Sequence, residues 1–235
     1  MVNFFKKKQP TLEWASSLEE YPDIVVPARS TVPTWFKLTP KYVGTKLLSS
    51  HANATVKLCV PFLDALTTGY VVRLQADLVV EQNPEGVHIS WGAEEEVLSL
   101  RPSEVNATIP IPLGCSNQHF VWKPRFSLKV PSGYSLMFTH PLNRYDLPFV
   151  TLTGVFDGNY TLAPYGNIPV FFSRTFEGVI PQGTPIAQLI PFKTQNWNSK
   201  SNSKLLDEGR RNSKASNSIL QGWYKRNFWI KKTYN

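Results

Sequence analysis

Apolar positions along this chain fall in short runs, not in long helical stripes. Residues 134–138, 149–156, 169–172 and 186–190 are β-branched, aromatic or aliphatic, and Gly, Pro or Asn punctuates them. Strands joined by tight turns leave that pattern. Residues 70–81 form the clearest long strand, which ends at Asn83-Pro84-Glu85-Gly86, so residues 87–91 are predicted as its hairpin partner. Residues 55–61 alternate polar and apolar side chains and predict a half-buried strand, and residues 61–70 predict a short helical turn. Residues 105–112 and 120–130 supply two further predicted strands, the second with an edge-type proline at Pro124. Upstream, residues 1–46 read as an extended arm, because Pro22, Pro27, Pro33 and Pro40 interrupt it. Only residues 11–21 leave room for a short helix there. The arm's aromatics, Trp14, Trp35 and Phe36, are expected to pack on their own domain or on a neighbouring subunit.

Composition supports an all-β class. The chain has 235 residues, 42 % hydrophobic and 13 % aromatic, enough for a real core. Its 19 prolines disfavour long helices. Charge then divides the chain. Residues 1–192 hold equal numbers of basic and acidic side chains, whereas residues 193–235 carry the whole net charge of +8. A neutral body with a basic end faces acidic surfaces or nucleic acid at that end only.

Residues 193–218 are rich in Ser, Asn and Lys and predict a linker or disordered segment, with room for one helical turn at 205–210. Residues 219–234 then turn aromatic and basic. Trp223, Tyr224, Phe228 and Trp229 are too apolar to stay solvated, and Lys225, Arg226, Lys231 and Lys232 lie among them. This set is expected to bind a partner surface that is part apolar groove and part acidic. Nucleic acid suits the same mixture, since bases stack on aromatics while phosphates pair with cations. Folding back on its own domain is the third arrangement.

Candidate chemistry is sparse. His51, His88, His119 and His140 are dispersed, with no metal-ligand spacing, so no metal site is expected. Glu94-Glu95-Glu96 reads as a solvated run, because neighbours on extended chain point to opposite faces. Cys59 and Cys115 read as two free thiols of a reducing compartment. The start, Met-Val-Asn-Phe-Phe-Lys-Lys-Lys, lacks the apolar region of a signal peptide, and no run reaches the ~20 residues that span a bilayer. A soluble protein without membrane partners is expected. The glycosylation sequons at Asn53, Asn106 and Asn159 then carry no meaning.

The stretch 130–192 contains Pro131-Ser-Gly-Tyr134, Gly154-Val-Phe-Asp157-Gly-Asn-Tyr160 and Gly183-Thr-Pro-Ile-Ala-Gln188-Leu-Ile190. These segments resemble the central block of the trimeric dUTPases. The resemblance implies a β-clip or jelly-roll-like domain over residues 47–192, in which Asp157 orients or deprotonates the attacking water. Tyr160 would pack on the nucleoside, Gln188 would contact phosphates, and magnesium would be the cofactor. Three departures weaken that activity. Thr139-His-Pro-Leu-Asn-Arg144 stands where the family has Pro-Arg-Ser, Thr184 replaces an Asp, and the glycine-rich C-terminal arm is absent. Asp157-Gly-Asn is also a plain hairpin turn sequence.

A second resemblance spans most of residues 33–192. Pro33-Thr-Trp-Phe-Lys37, Lys57-Leu-Cys-Val-Pro-Phe-Leu-Asp64, Val130-Pro-Ser-Gly-Tyr-Ser135 and Gly183-Thr-Pro-Ile-Ala-Gln-Leu-Ile-Pro-Phe192 resemble an uncharacterised protein family. Its members occur in large tailed phages, notably of marine cyanobacteria, and in some bacteria. The expectation is therefore one β-clip domain flanked by an N-terminal arm (1–46) and a basic-aromatic extension (193–235). It would be a homotrimeric, non-enzymatic virion structural or assembly protein without cofactor, found in the virion or host cytoplasm. A dUTPase-like nucleotide-binding or hydrolysing protein is the alternative.

Overall fold

The computed structural model describes residues 9–44, 53–158, 160–164, 166–218 and 222–235. The charged start, His51 and Asn159 lie outside them. In chain order come β1 (Glu13–Ser16), β2 (Val25–Pro27), α1 (Thr34–Leu38), α2 (Val60–Thr67), β3 (Tyr70–Arg73), β4 (Leu78–Asn83), β5 (Gly86–Trp91) and β6 (Leu98–Leu100). Then follow α3 (Ser103–Asn106), β7 (Phe120–Trp122), β8 (Phe126–Lys129), β9 (Tyr134–Thr139), β10 (Phe149–Thr151) and β11 (Gly154–Asp157). The chain continues through β12 (Ile168–Phe172), β13 (Gly178–Ile180), β14 (Pro185–Lys193), α4 (Lys204–Ser218) and α5 (Trp223–Asn227).

The fold is all-β, built from antiparallel sheets. A five-stranded sheet runs β11-β9-β14-β3-β2, a four-stranded sheet β10-β12-β7-β6 and a three-stranded sheet β13-β4-β5, while β1 pairs with β8. One core lies among them, centred on Trp122, Phe126, Phe149 and Phe172, all at most 2 % exposed. The Trp122 ring meets Phe149 and Phe172 edge-on at 5.2 and 5.4 Å, a geometry favoured by the ring quadrupoles. β14 is the central strand, and its register slips between Pro185 and Ala187. The slip places the Ile186 carbonyl beside Thr151, whose hydroxyl donates to it at 2.6 Å and accepts the Trp122 indole N–H at 3.1 Å. Both polar groups are thereby satisfied inside the core.

The 78–83/86–91 hairpin forms as predicted, closed by Asn83↔Gly86. The predicted long strand 70–81 is instead two strands in different sheets. Buried Leu74 and Leu78 keep the apolar pattern across the break, and Gln75–Asp77 redirect the chain. The Asp77 carboxylate fixes that corner by accepting the Gln182 N–H at 2.6 Å. Residues 55–61 are not a strand: a 3-10 turn at Val56–Leu58 runs into α2. Thr55 Oγ1 accepts the Lys57 N–H at 3.2 Å, and Pro61 sits in the first helical turn, where no N–H is needed. Residues 105–112 are not a strand either, since α3 opens after Pro102, and Pro110 and Pro112 interrupt the chain beyond it. Within 11–21 the chain is strand β1, not helix. The arm packs on its own domain, with Ile24, Val25, Ala28 and Phe36 buried.

Gly69 joins α2 to β3 with φ +69°, and a Cβ there would overlap the Leu189 carbonyl oxygen. Only glycine allows that approach. It brings α2 onto the face of β14 that carries Gln188.

Candidate functional site

Two places bear on function: the residues flagged by their resemblance to dUTPases, and the seat of the C-terminal segment.

Asp157 is the last residue of β11 and is exposed. Its Oδ1 accepts the hydroxyl of buried Ser135 at 2.7 Å, and Ser135 Oγ also lies 2.6 Å from Thr194 Oγ1. The carboxylate is therefore held in place yet open to water. Tyr160 is 61 % exposed. Gln188 is elsewhere. Asp157 pairs with Ser135 on β9, whereas Gln188 pairs with Thr139, four residues further along that strand. At strand rise that is about 13 Å. Gln188 is 1 % exposed, and its amide is fully used. Oε1 accepts the Leu142 N–H at 2.8 Å, and Nε2 donates to the carbonyls of Ala65 at 3.0 Å and Thr68 at 2.7 Å. It ties α2 and the 140–147 loop to the central strand.

Arg144, on that loop, forks onto Asp146 with bonds of 2.9 to 3.2 Å. Burial pushes the Asp146 carboxyl up, but hydrogen bonds and charge from Arg144 outweigh it, leaving Asp146 below its usual value. His140 holds the same loop: its Nε2 lies 3.0 Å from the Arg144 carbonyl and its Nδ1 accepts the Thr151 N–H at 3.4 Å. Those partners fix the neutral ring with its proton on Nε2, since a carbonyl only accepts. Among the described residues no group of three or more His, Cys, Asp or Glu is placed to hold a metal ion. Cys59 and Cys115 are free thiols, and no helix among the described residues is long and apolar enough to cross a membrane.

The C-terminal segment meets the β domain at α2 and β3. Trp229 Nε1 donates to both oxygens of Asp64 at 3.1 and 3.0 Å, and Lys232 Nζ pairs with Asp64 at 2.7 Å. The hydrogen bond to Asp64 raises the Lys232 ammonium above its usual pKa. Further on, Tyr234 packs edge-on against Tyr70 at 5.9 Å, and the Tyr70 hydroxyl donates to the Asn235 carbonyl at 3.2 Å. Arg29 donates to the Asn235 side chain at 3.0 Å. So Trp229 and Lys232, flagged in the sequence as partner-binding, touch this chain's own domain. The others are placed differently. Trp223 packs on Phe228 at 4.9 Å, and Lys225 lies over the Trp229 ring at 5.7 Å. Tyr224 and Phe228 stay 45 % and 52 % exposed, with Ile230 at 75 % and Arg226 and Lys231 also exposed.

Asp64, which holds the C-terminal segment, is a residue that sequence reasoning misses. Its one local signal is a carboxylate inside an otherwise apolar helix, Val-Pro-Phe-Leu-Asp-Ala-Leu-Thr.

No protein-family model matches the chain, and no curated protein matches it in sequence. Among solved structures, a mutant dUTPase from phage phi11 of S. aureus, described as coordinating a structural Mg(II) ion, is similar over 46 % of this chain and 97 % of its own. The two share 17 % identity and superpose with a TM-score of 0.26, too loosely to transfer an activity or a structural detail.

Proposed function

We propose that the protein is a non-enzymatic structural or assembly component of a phage particle that docks to neighbouring subunits through its terminal extensions. The observation that supports this reading best is the C-terminal segment, anchored yet partly uncovered. Trp229 and Lys232 hold it on α2, while Tyr224, Phe228 and Ile230 stay exposed in the same stretch as Lys225, Arg226 and Lys231. An anchored aromatic-basic surface of this kind suits an apolar and acidic groove on another virion protein. Homotrimerisation belongs to the same reading, since β11 and β2 end the five-stranded sheet and no strand among the described residues pairs with their outer edges. Virion and host cytoplasm are its locations, with nucleic acid as a secondary contact of the basic face.

The test is incorporation. A chain truncated before residue 219 should fold yet be missing from purified particles, while full-length chain is present. Full incorporation of the truncated chain would refute the docking role. Salt separates the secondary contact: phosphate binding weakens steeply as salt rises, whereas aromatic docking persists.

One observation favours the second reading, a dUTPase-like nucleotide hydrolase: the fixed, water-accessible carboxylate of Asp157. A general base requires such a carboxylate, but in-line attack also requires clamped phosphates. Gln188 is occupied internally and Arg144 is paired with Asp146. The expectation is no pyrophosphate release from dUTP or dCTP with magnesium. Turnover that vanishes in Asp157→Asn would promote the enzyme reading.

A further inference from the structure

We propose that the open edges of β5 and β6 form a binding groove for an extended segment of another protein, one with apolar side chains at alternate positions and Lys or Arg at one end. The groove belongs to neither terminal extension and stands independently of the virion reading.

β5 closes one side of the three-stranded sheet and β6 one side of the four-stranded sheet, and no strand among the described residues pairs with their outer edges. Hydrogen-bond direction alternates along an antiparallel strand, so one bond fixes where every second residue points. On β5 the Val87 N–H turns away from β4 and donates to Gln118 Oε1 at 2.5 Å. In the regular register with β4, Ile89 and Trp91 share its phase and turn their N–H and C=O groups outward as well. Beside β6 the Val97 carbonyl accepts the Lys123 N–H at 2.9 Å, and the Arg101 N–H donates to the His119 carbonyl at 2.8 Å. Residues of that phase face β7, so Leu98 and Leu100 face away from it. These outward residues of both strands line one cavity of about 270 Å³. The open edges of two sheets therefore look into the same space. Gln118 closes one end of it, and its side-chain amide meets β5 as the carbonyl of an inserted strand would. An incoming segment continues that pattern over Ile89 and Trp91.

Side chains define what fits. Val87, Leu98 and Phe120 are at most 5 % exposed and form the floor, whereas Leu100 is 55 % exposed and Ile89 and Trp91 are half-buried. Alternate side chains of an extended segment share one face, so its apolar positions cover these rims while its main chain bonds to the edges. At strand rise, Val87 to Trp91 measures about 13 Å, the length of a segment of about five residues. Glu85 lines the groove, and Glu94 and Glu96 stand exposed in the loop that joins β5 to β6. Carboxylates there select an occupant with a basic end over an acidic one.

The test is binding of a defined peptide, Lys-Lys-Val-Thr-Val-Thr-Val, to the full-length chain, read amide by amide through hydrogen exchange in NMR spectra. The peptide is expected to slow exchange at Ile89, Trp91, Leu98 and Leu100 and to leave His88 and Ser90, whose phase faces β4, unchanged. N-methylation at every second residue removes the donors along one side of the peptide and should weaken binding roughly tenfold or more. Replacing its two lysines by glutamates should weaken it as well. In the protein, Ile89→Pro removes an outward N–H without touching the β4 ladder and should lower affinity at an unchanged fold. The peptide variants decide the question even where that substitution prevents folding. Absence of slowed exchange at the four amides at about millimolar peptide would overturn the proposal. Equal affinity of the plain and N-methylated peptides would overturn it too, since apolar contact without strand pairing gives that result. Particle incorporation plays no part in this readout, so the groove and the virion role fail separately.

Discussion

Gln188 and Asp64 both hold polar contacts at the seam of α2, one from beneath and one from outside. Gln188 is 1 % exposed and makes three hydrogen bonds to backbone groups of the β domain. Asp64 has a half-buried side chain and holds the C-terminal segment through an indole and the ammonium of Lys232, a side chain that is 47 % exposed. The difference is energetic. Removing a buried amide strands partners that water cannot reach, whereas a part-exposed ion pair is largely replaced by hydration. The β domain is therefore fixed from within, and the C-terminal unit is attached so that it can be released.

That contrast can be broken at several points. Gly69→Ala should have the largest effect, because it combines a positive φ with overlap against the Leu189 carbonyl. A loss of about 3 kcal/mol or more is expected, read as insoluble protein or a strongly lowered Tm. An unchanged Tm would mean that α2 is not pressed onto β14. Gln188→Leu comes next. It leaves the Leu142 N–H and the Ala65 and Thr68 carbonyls without partners, for about 3 to 4 kcal/mol, or roughly 10 °C in Tm. If Gln188→Leu melted like wild type, the internal role given to Gln188 would fail.

Acid should act on the same loop. Burial lowers the His140 pKa, with the charge of Arg144 adding to it, against opposing effects of the Arg144 carbonyl and Asp146. A depressed folded pKa means that the unfolded chain binds the proton more readily. Stability is then complete above the unfolded value of about 6.5 and declines as pH falls toward the folded pKa. Buried His119, whose pKa is also lowered by burial, works in the same window. Thermal melts between pH 7 and pH 5 should show the decline, and His140→Gln should reduce it, leaving the part that His119 contributes. The smallest effect on the β domain is expected from Asp64→Ala. Its Tm should move by less than about 1 kcal/mol equivalent, while trypsin cuts faster at Lys225, Arg226 and Lys231. Equal cleavage rates would show that Asp64 does not hold the segment.

The legible parts of the fold are those with local punctuation. Asn83-Pro-Glu-Gly86 marks the β4–β5 hairpin, and Gly and Pro bracket β9, β11 and β14, so their strands read directly. Residues 55–61 mislead because a few alternating positions fit both a strand and a chain entering a helix. There the Thr55 cap and Pro61 are the better guide. Helix α4 shows in the sequence only as one turn, since Lys-Leu-Leu-Asp-Glu-Gly-Arg-Arg has little apolar content and is stabilised locally, as by the Asp207–Arg210 pair at 3.1 Å. The Asp64 seat is illegible for a different reason. Its partners lie 165 and 168 residues away, a pairing that no local pattern encodes.

The docking surface itself offers the most direct measurement. Tyr224→Ala combined with Phe228→Ala removes exposed rings and leaves the Trp229–Asp64 anchor in place. The double variant should melt like the wild-type chain, and quantitative mass spectrometry of purified particles should find it missing. Particles that carry it at wild-type copy number would contradict the assignment of the C-terminal segment as the docking element.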